Sequence, residues 1–578
     1  MHLVISPSQA WDRLRGTTAG LQLLAVVVGL GAGLGAAGFR WLILAATRLF
    51  SGHVDYAAVA GAANPHLESW GRWFLLVVPV AAGLLYGPLV YGFAREARGH
   101  GVPEVMYAVA EHGGRIRPRV ALIKAIASAV CIGGGGSVGR EGPIVQIGSA
   151  LGSSVGQLVR LPESRLRILV ACGAAGGIAA TFNTPIAGVF FALELILGDF
   201  AVESFAAVVL AAVAASALSR AEFGDQPFLA LPAFSVSSPL AYLAYAVLGL
   251  LAAGVGVGWS RVLYLVEDVC DRLWRGPEWL RPAAGGIVLG IFLLALPQMY
   301  GVGYPVLGAA VSGGYAVGFV LVLLVGKVFA TSLTIGIGGS GGVFAPSLFI
   351  GAMLGEAFGL ALHSIVPSLA PAPGAYALVG MGAVFAGAAR TPMTAVLIMF
   401  ELTGEYRIIL PLMLAIALAA GGSKLLAKDT IYTRKLLRRG IDLHAPERAL
   451  SRMRVSAAAR PLQAALTPET PLSQLVERFA MEDATALPVL DGQCELRGVV
   501  LAIEVERAVQ DQAEDVTAGD LARTVPVLTG AMSLEEALAE MTRNGGAGLP
   551  VADPDGAVTA WLTHRDLLRA VAGIASHR

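Results

Sequence analysis

Residues 139–143 read Gly139-Arg140-Glu141-Gly142-Pro143. An arginine and a glutamate stand between glycines, inside a segment otherwise apolar enough for a bilayer. Charge at membrane depth is costly, so such a pair marks a functional site by default. Pro143 suits the first turn of a helix, where its missing N–H costs nothing. The preceding run Gly133-Gly134-Gly135-Gly136-Ser137 predicts free backbone N–H groups converging on an anion. Joined to a helix N-terminus, such amides hold an anion without any cationic side chain.

Outward from this stretch the composition is that of a membrane protein. Of 578 residues, 56% are hydrophobic and 14% charged, against about 25% charged in soluble domains. Charges are sparse up to about residue 425 and common beyond it, so the first part reads as membrane and the last as soluble. A formal net charge of +0 argues against nucleic acid as a partner. The nine histidines include no HExxH-like pair, and Cys131, Cys172, Cys270 and Cys494 show no metal-ligand or disulfide spacing. Neither a metal centre nor an enzyme is expected.

Apolar stretches of helical length recur near 18–50, 72–95, 119–132, 143–160, 166–195, 202–220, 236–266, 283–298, 308–331, 343–364, 376–402 and 407–426. Several are shorter than the ~20 residues of a full span, and several are interrupted by Gly or Pro. Broken segments survive at membrane depth only where protein or a polar cavity covers their ends. Residues 1–16 are polar, with Arg13 and Arg15, and the first apolar run is followed by others. It reads as a retained helix and not as a removed signal. Lys and Arg gather in residues 95–124, Lys124 included, and in 424–454. Such excess marks the cytoplasmic side, which places the N-terminus and the C-terminal region there.

The membrane part repeats itself. At a shift of 203, Gly133 meets Gly336, Gly139 meets Gly342, Ser137 meets Ser340 and Pro143 meets Pro346. At a shift of 207, Thr184-Pro185 meets Thr391-Pro392 and Glu194-Leu195 meets Glu401-Leu402. Matching broken segments in two halves point to a midplane binding site between repeats. The paired glutamates are expected to brace helix ends. The tail repeats at a spacing of 62, where Ala486-Leu487-Pro488-Val489 answers Gly548-Leu549-Pro550-Val551. Each tail unit reads helix, strand, turn, strand, helix.

With Gly341-Gly342-Val343-Phe344-Ala345-Pro346, Phe182-Asn183-Thr184-Pro185, Glu401-Leu402-Thr403-Gly404 and Tyr432 added, the whole chain resembles the CLC chloride channels and chloride/proton antiporters. The tail resembles a pair of CBS domains. The resemblance implies an all-α polytopic membrane domain over 1–440, built of two inverted repeats (72–222 and 283–430) with broken, tilted helices. A basic linker (441–454) and a cytoplasmic α/β tandem of CBS domains (455–515 and 516–578) follow. It implies a homodimer in the bilayer with one chloride pathway per subunit. The amides of Val343 and Phe344, with the Tyr432 hydroxyl, would hold the anion. His100 and Gly101 of Gly99-His100-Gly101-Val102-Pro103 belong to the first anion-binding motif, and Arg140 and Gly142 to the second. Glu141 would be the gate, its carboxylate competing with the anion. Fluoride exporters of the family usually carry Asn before the Arg and no proline after the Gly, so 139–143 speaks against that branch.

Two positions depart from the pattern. His100 stands where the family usually has serine, bringing bulk and a titratable ring. Leu195 stands where antiporters commonly carry an inner proton-relaying glutamate, and leucine carries no proton. The expectation is therefore a passive gated chloride channel, with a proton-coupled antiporter as the alternative. CBS modules often hold adenine nucleotides through a Thr/Ser and an Asp three residues on. The second unit keeps Thr563 and Asp566, whereas the first has Leu501 and Glu504. A structural or dimerising tail is the favoured reading, and transport requires no cofactor. Ala/Gly/Arg-rich usage points to a bacterial inner membrane.

Overall fold

The computed structural model describes residues 15–224, 239–370, 372–404, 406–443, 450, 453–462, 464–482, 484–492, 495–513, 515–544, 548–553 and 556–576. Arg13, Cys494, residues 236–238 and linker residues 444–449 and 451–452 lie outside this set. The chain forms two compact units, Met1–Ile441 and Asp442–Arg578.

The described residues of the first unit form helices joined by loops. Its first repeat runs α1 (Thr18–Ser51), α2 (Phe74–Phe93), α3 (Val102–Glu111), α4 (Arg119–Gly133), α5 (Glu141–Val159), α6 (Glu163–Phe182), α7 (Pro185–Phe191) and α8 (Val202–Phe223). The second runs α9 (Ala241–Leu273), α10 (Arg281–Ala295), α11 (Tyr304–Val311), α12 (Val317–Gly336), α13 (Phe344–Ile365), α14 (Gly374–Ala389), α15 (Pro392–Thr403) and α16 (Ile409–Leu426), and α17 (Thr433–Leu437) follows. Among the described residues, nine helices are long and apolar enough to cross a membrane. The short α3 and α11 begin after Gly101 (φ +80°) and Gly303 (φ +93°), with a proline in the first turn of each. The positive φ turns the chain abruptly into the helix, a geometry glycine adopts without strain.

The repeats reach one helix further back than the sequence matches show. α1 packs on α4, α6 and α8, and α9 packs likewise on α12, α14 and α16. The bounds 72 and 283 therefore omit α1 and α9. Those two helices share length, 34 and 33 residues, and position, but little sequence. Lipid-facing apolar side chains interchange freely, so identity fades there first. Identity persists where backbones touch. A Cβ on Gly148 of α5 would run into Gly173 O of α6, and one on Gly351 of α13 into Gly380 O of α14. Small residues at such crossings let membrane helices approach closely.

The paired glutamates tie the halves together. Glu401 accepts the N–H groups of Ile186 (3.0 Å) and Ala187 (2.7 Å) at the start of α7. Glu194 accepts those of Met393 (3.3 Å) and Thr394 (2.9 Å) at the start of α15, and the Thr394 hydroxyl at 2.7 Å. Each carboxylate caps the orphan donors of the other repeat's helix. The chain then leaves α7 through a wider π turn over Ala192–Leu197, which carries Glu194 and Leu195.

The second unit is α/β. α18 (Leu472–Glu482), β2 (Ala486–Leu490), β3 (Leu496–Leu501) and α19 (Ala502–Gln510) form one half, followed by α20 (Ala518–Leu521). α21 (Leu534–Arg543), β5 (Leu549–Ala552), β6 (Val558–Leu562) and α22 (His564–Ser576) form the other. The halves interleave instead of dividing at 515/516. β1 (Arg460–Pro461) pairs with β6, and β4 (Leu528–Thr529) with β5, giving the order β1-β6-β5-β4. Val455 joins Leu528, Leu534, Leu549 and Leu562 in the second core, while Ala518 joins Leu466, Leu475, Leu487 and Val500 in the first. Each segment that leads into one half thus buries its apolar side chain in the other.

A candidate anion site between two helix N-termini

Two backbone pairings draw three loops of the first unit together. Gly139 N–H donates to Gly342 O at 2.8 Å, and Gly342 N–H donates to Gly139 O at 2.6 Å. These glycines are equivalent under the 203-residue shift, so the pairing lies on the axis relating the repeats. Gly99 pairs with Ser340, its N–H on Gly339 O at 3.0 Å. A Cβ on Gly142 would run into His100 O, and one on Gly101 would lie 2.9 Å from Gly142 O. Glycine is required here by close approach.

The glycine runs themselves do not hold the anion. Gly134, Gly135 and Gly136 give their N–H groups to Val130, Ile132 and Cys131 carbonyls, and Ser137 gives its own to Thr334 Oγ1. Gly338, Gly339 and Gly341 are likewise committed, to Ile335, Thr334 and Gly99. Their donors are spent closing the ends of α4 and α12 or on bonds that cross between loops, to Thr334 and Gly99. This corrects the expectation of free amides over 133–137. Among the donors left over are those opening α13, where the first N–H groups have no intrahelical partner.

Glu141 lies across that opening. Its side chain is 1% exposed. Oε1 accepts the Tyr304 hydroxyl at 2.7 Å, and Oε2 accepts the Ala345 N–H at 3.3 Å. Val343 and Phe344 precede Ala345 and are buried, and Pro346 then offers no N–H. A carboxylate from the first repeat therefore rests on the positive end of a helix in the second. The Arg140 side chain packs over two aromatic rings. Its guanidinium lies 5.5 Å from the Phe182 ring and 5.4 Å from the Tyr304 ring, and donates to Thr181 O at 3.4 Å. Tyr432 is 1% exposed, with its ring 6.0 Å from that of His100. His100 is 2% exposed, and its Nε2 lies 3.2 Å from the Tyr264 hydroxyl. The sequence-nominated residues thus gather around three loops.

Sequence reading missed Tyr304, Ala345 and two lysines. Lys124, counted among cytoplasmic-side charges, is fully buried in α4 and donates to Ala97 O (2.9 Å) and Gly99 O (2.7 Å). Lys327 is its equivalent at a shift of 203 and donates to Ser137 Oγ (2.9 Å), Gly301 O (3.2 Å) and Val302 O (2.9 Å). The shared shift was the available signal, since a lysine repeated at membrane depth is not a joint charge. In the second unit, Thr563 Oγ1 donates to Asp566 Oδ2 at 2.6 Å, and Arg460 pairs with Asp566 Oδ1 at 2.7 Å. Glu504 of the first half pairs with Arg523.

The voltage gated chloride channel family model matches residues 82–424. The chain belongs to that family, the CLC proteins. It is a multi-pass membrane protein that transports anions, and it is not an enzyme. The CBS domain model matches residues 518–573. A putative chloride channel protein, ClcB-like, of Ralstonia nicotianae is 36% identical over 373 residues, 63% of this chain and 86% of that CLC relative. The H(+)/Cl(-) exchange transporter ClcA of Vibrio cholerae is 35% identical over 360 residues, 61% of this chain and 76% of its own. The solved structure of a slow cyanobacterial Cl-/H+ antiporter superposes with TM-score 0.65 at 27% identity, covering 72% of this chain and 97% of that one. A eukaryotic CLC transporter shares the fold over 94% of this chain and 97% of its own, with TM-score 0.62 at 21% identity.

Proposed function

We propose that this CLC protein exchanges chloride for protons, with Glu141 as the group that carries the proton and yields its place to the anion. The observation that carries this reading is the Glu141 carboxylate on the Ala345 N–H. A carboxylate held by the opening of α13 stands where an inorganic anion would stand. An anion takes that place when the side chain leaves, and protonation favours leaving because it removes the charge that the helix end attracts. The amides of Val343 and Phe344 and the Tyr432 hydroxyl then hold the anion, with Gly142, Gly101 and His100 shaping the floor and Arg140 the opposite rim. Such donors bind weakly enough for release, as conduction requires.

Relatives named as H(+)/Cl(-) exchangers support exchange over the passive channel that Leu195 suggests. Leu195 remains the specific observation for the channel, because no carboxylate stands at that position to relay protons. We place the N-terminus and tail in the cytoplasm of a bacterium, and two copies in the working assembly. Reconstitution into liposomes tests exchange. An imposed chloride gradient should drive protons the opposite way, against their own gradient. Chloride movement with no proton movement would establish the channel.

A further inference from the structure

His100 has one edge that no described residue satisfies. The Tyr264 hydroxyl has one hydrogen. It lies 2.7 Å from Ile431 O, a group that only accepts, so the hydrogen goes there. His100 Nε2, 3.2 Å from the same hydroxyl oxygen, must then be the donor of that contact. A neutral imidazole donates from one nitrogen, so Nδ1 carries a lone pair. Nδ1 is buried and has no hydrogen-bond partner among the described residues. A serine hydroxyl would present a rotatable donor here, whereas this ring is locked with an acceptor.

The surroundings decide when that acceptor can be protonated. From α4 comes Lys124, from α17 Lys435, and just beyond it Arg439. Glu104 of α3 answers them, but Lys435 (3.4 Å) and Arg439 (2.8 Å) both hold it. Tyr264 of α9 and Tyr432 complete the ring's neighbours. The balance is positive, so an added proton requires a compensating negative charge nearby. We propose that His100 Nδ1 is a second proton-binding site, filled together with the anion held beside it. The bound anion offsets the new charge, and the new N–H gains an acceptor. By reciprocity, protonation tightens anion binding by the factor by which the anion tightens proton binding. This inference rests on the anion-site reading above.

Glu141 also exchanges protons when an anion displaces it, so the test uses full-length Glu141→Gln protein. Chloride is titrated calorimetrically in two buffers of different ionisation enthalpy, at several pH values. Chloride should bind with net proton uptake, and its affinity should fall with rising pH by up to about tenfold per unit where His100 titrates. Adding His100→Ser should abolish the uptake and flatten the pH dependence. Adding Tyr264→Phe keeps the imidazole but releases Nε2, so the neutral ring can turn its hydrogen to Nδ1, and the uptake should fall. Chloride binding with equal uptake in parent and His100→Ser proteins, or without uptake in the parent, would overturn the proposal while leaving the anion site standing. Uptake unchanged by Tyr264→Phe would overturn the tautomer on which it rests. Failure of the Glu141→Gln protein to bind chloride would overturn the anion site and this inference with it.

Discussion

The two membrane repeats share a scaffold and divide the chemistry. At the opening of α5 the first repeat carries Arg140-Glu141; 203 residues on, at the opening of α13, the second carries Val343-Phe344. Around these pairs the halves match closely: Gly139 pairs with Gly342, Glu194 and Glu401 cap each other's helices, and Lys124 and Lys327 each gather backbone carbonyls. Symmetry brings two helix N-termini to one place. Asymmetry then gives one of them a tethered anion and leaves the other with bare donors. A symmetric pair of carboxylates would repel one another, and a symmetric pair of bare helix ends would have no group to gate them or carry a proton.

The largest effect should come from removing the asymmetry. Glu141→Gln keeps the shape of the side chain and deletes its charge. Proton movement coupled to chloride should fall to the level of protein-free liposomes while chloride flux persists. Proton coupling that survives this substitution would mean that another group carries the proton.

Tyr432→Phe probes the donors that face the vacated place. Loss of a hydrogen bond to a charged partner should weaken anion binding by about 1.5–3 kcal/mol, read by calorimetry in detergent. Unchanged affinity would move Tyr432 out of contact with the anion.

The shared scaffold can be strained from either side. A Cβ on Gly142 would run into His100 O, and one on Gly342 would lie 2.7 Å from Gly142 N. Gly142→Ala and Gly342→Ala should each cost roughly 1–3 kcal/mol, seen as a lowered melting temperature. Gly308→Ala in α11, where the added Cβ meets nothing within 4 Å, should leave it unlowered. Equal behaviour of all three would show that the loops do not need their close approach.

The smallest effect concerns the tail. Ser533 donates to Glu536 from its N–H at 2.8 Å and its hydroxyl at 2.9 Å, and these bonds hold the Glu536 carboxyl below the usual carboxylate range. A depressed folded value gives stability that is full above the unfolded value, about 4.3, and is lost as pH falls through the folded one. Ser533→Ala should lower the melting temperature at neutral pH and progressively less in acid. A lowering independent of pH would separate the cap from the Glu536 charge.

Much of the site could be read before the fold because function and close contact both restrict residue type. Gly139, Gly342 and the paired glutamates were legible through the repeat shift, and Glu141 through its charge inside an apolar segment. The glycine runs were seen but misread: sequence shows where N–H groups are unobstructed, but not which carbonyl already accepts them. Tyr304 was illegible because its hydroxyl meets Glu141 from 163 residues away. Lys124 was read by charge alone, when its burial and its partner at the same shift carried the meaning. Interleaving in the tail was hidden for a related reason, since Val455 and Ala518 each stand at the start of one sequence unit while their side chains pack in the core of the other.

The central claim is that the Glu141 carboxylate occupies an anion's place on the Ala345 amide. Crystals of wild-type and Glu141→Gln protein grown in bromide measure this directly by anomalous scattering. The Glu141→Gln protein should show a bromide at the carboxylate's position that wild type lacks, with any bromide beside Tyr432 common to both. Identical anomalous peaks in the two proteins, with none near Ala345 N, would contradict the account.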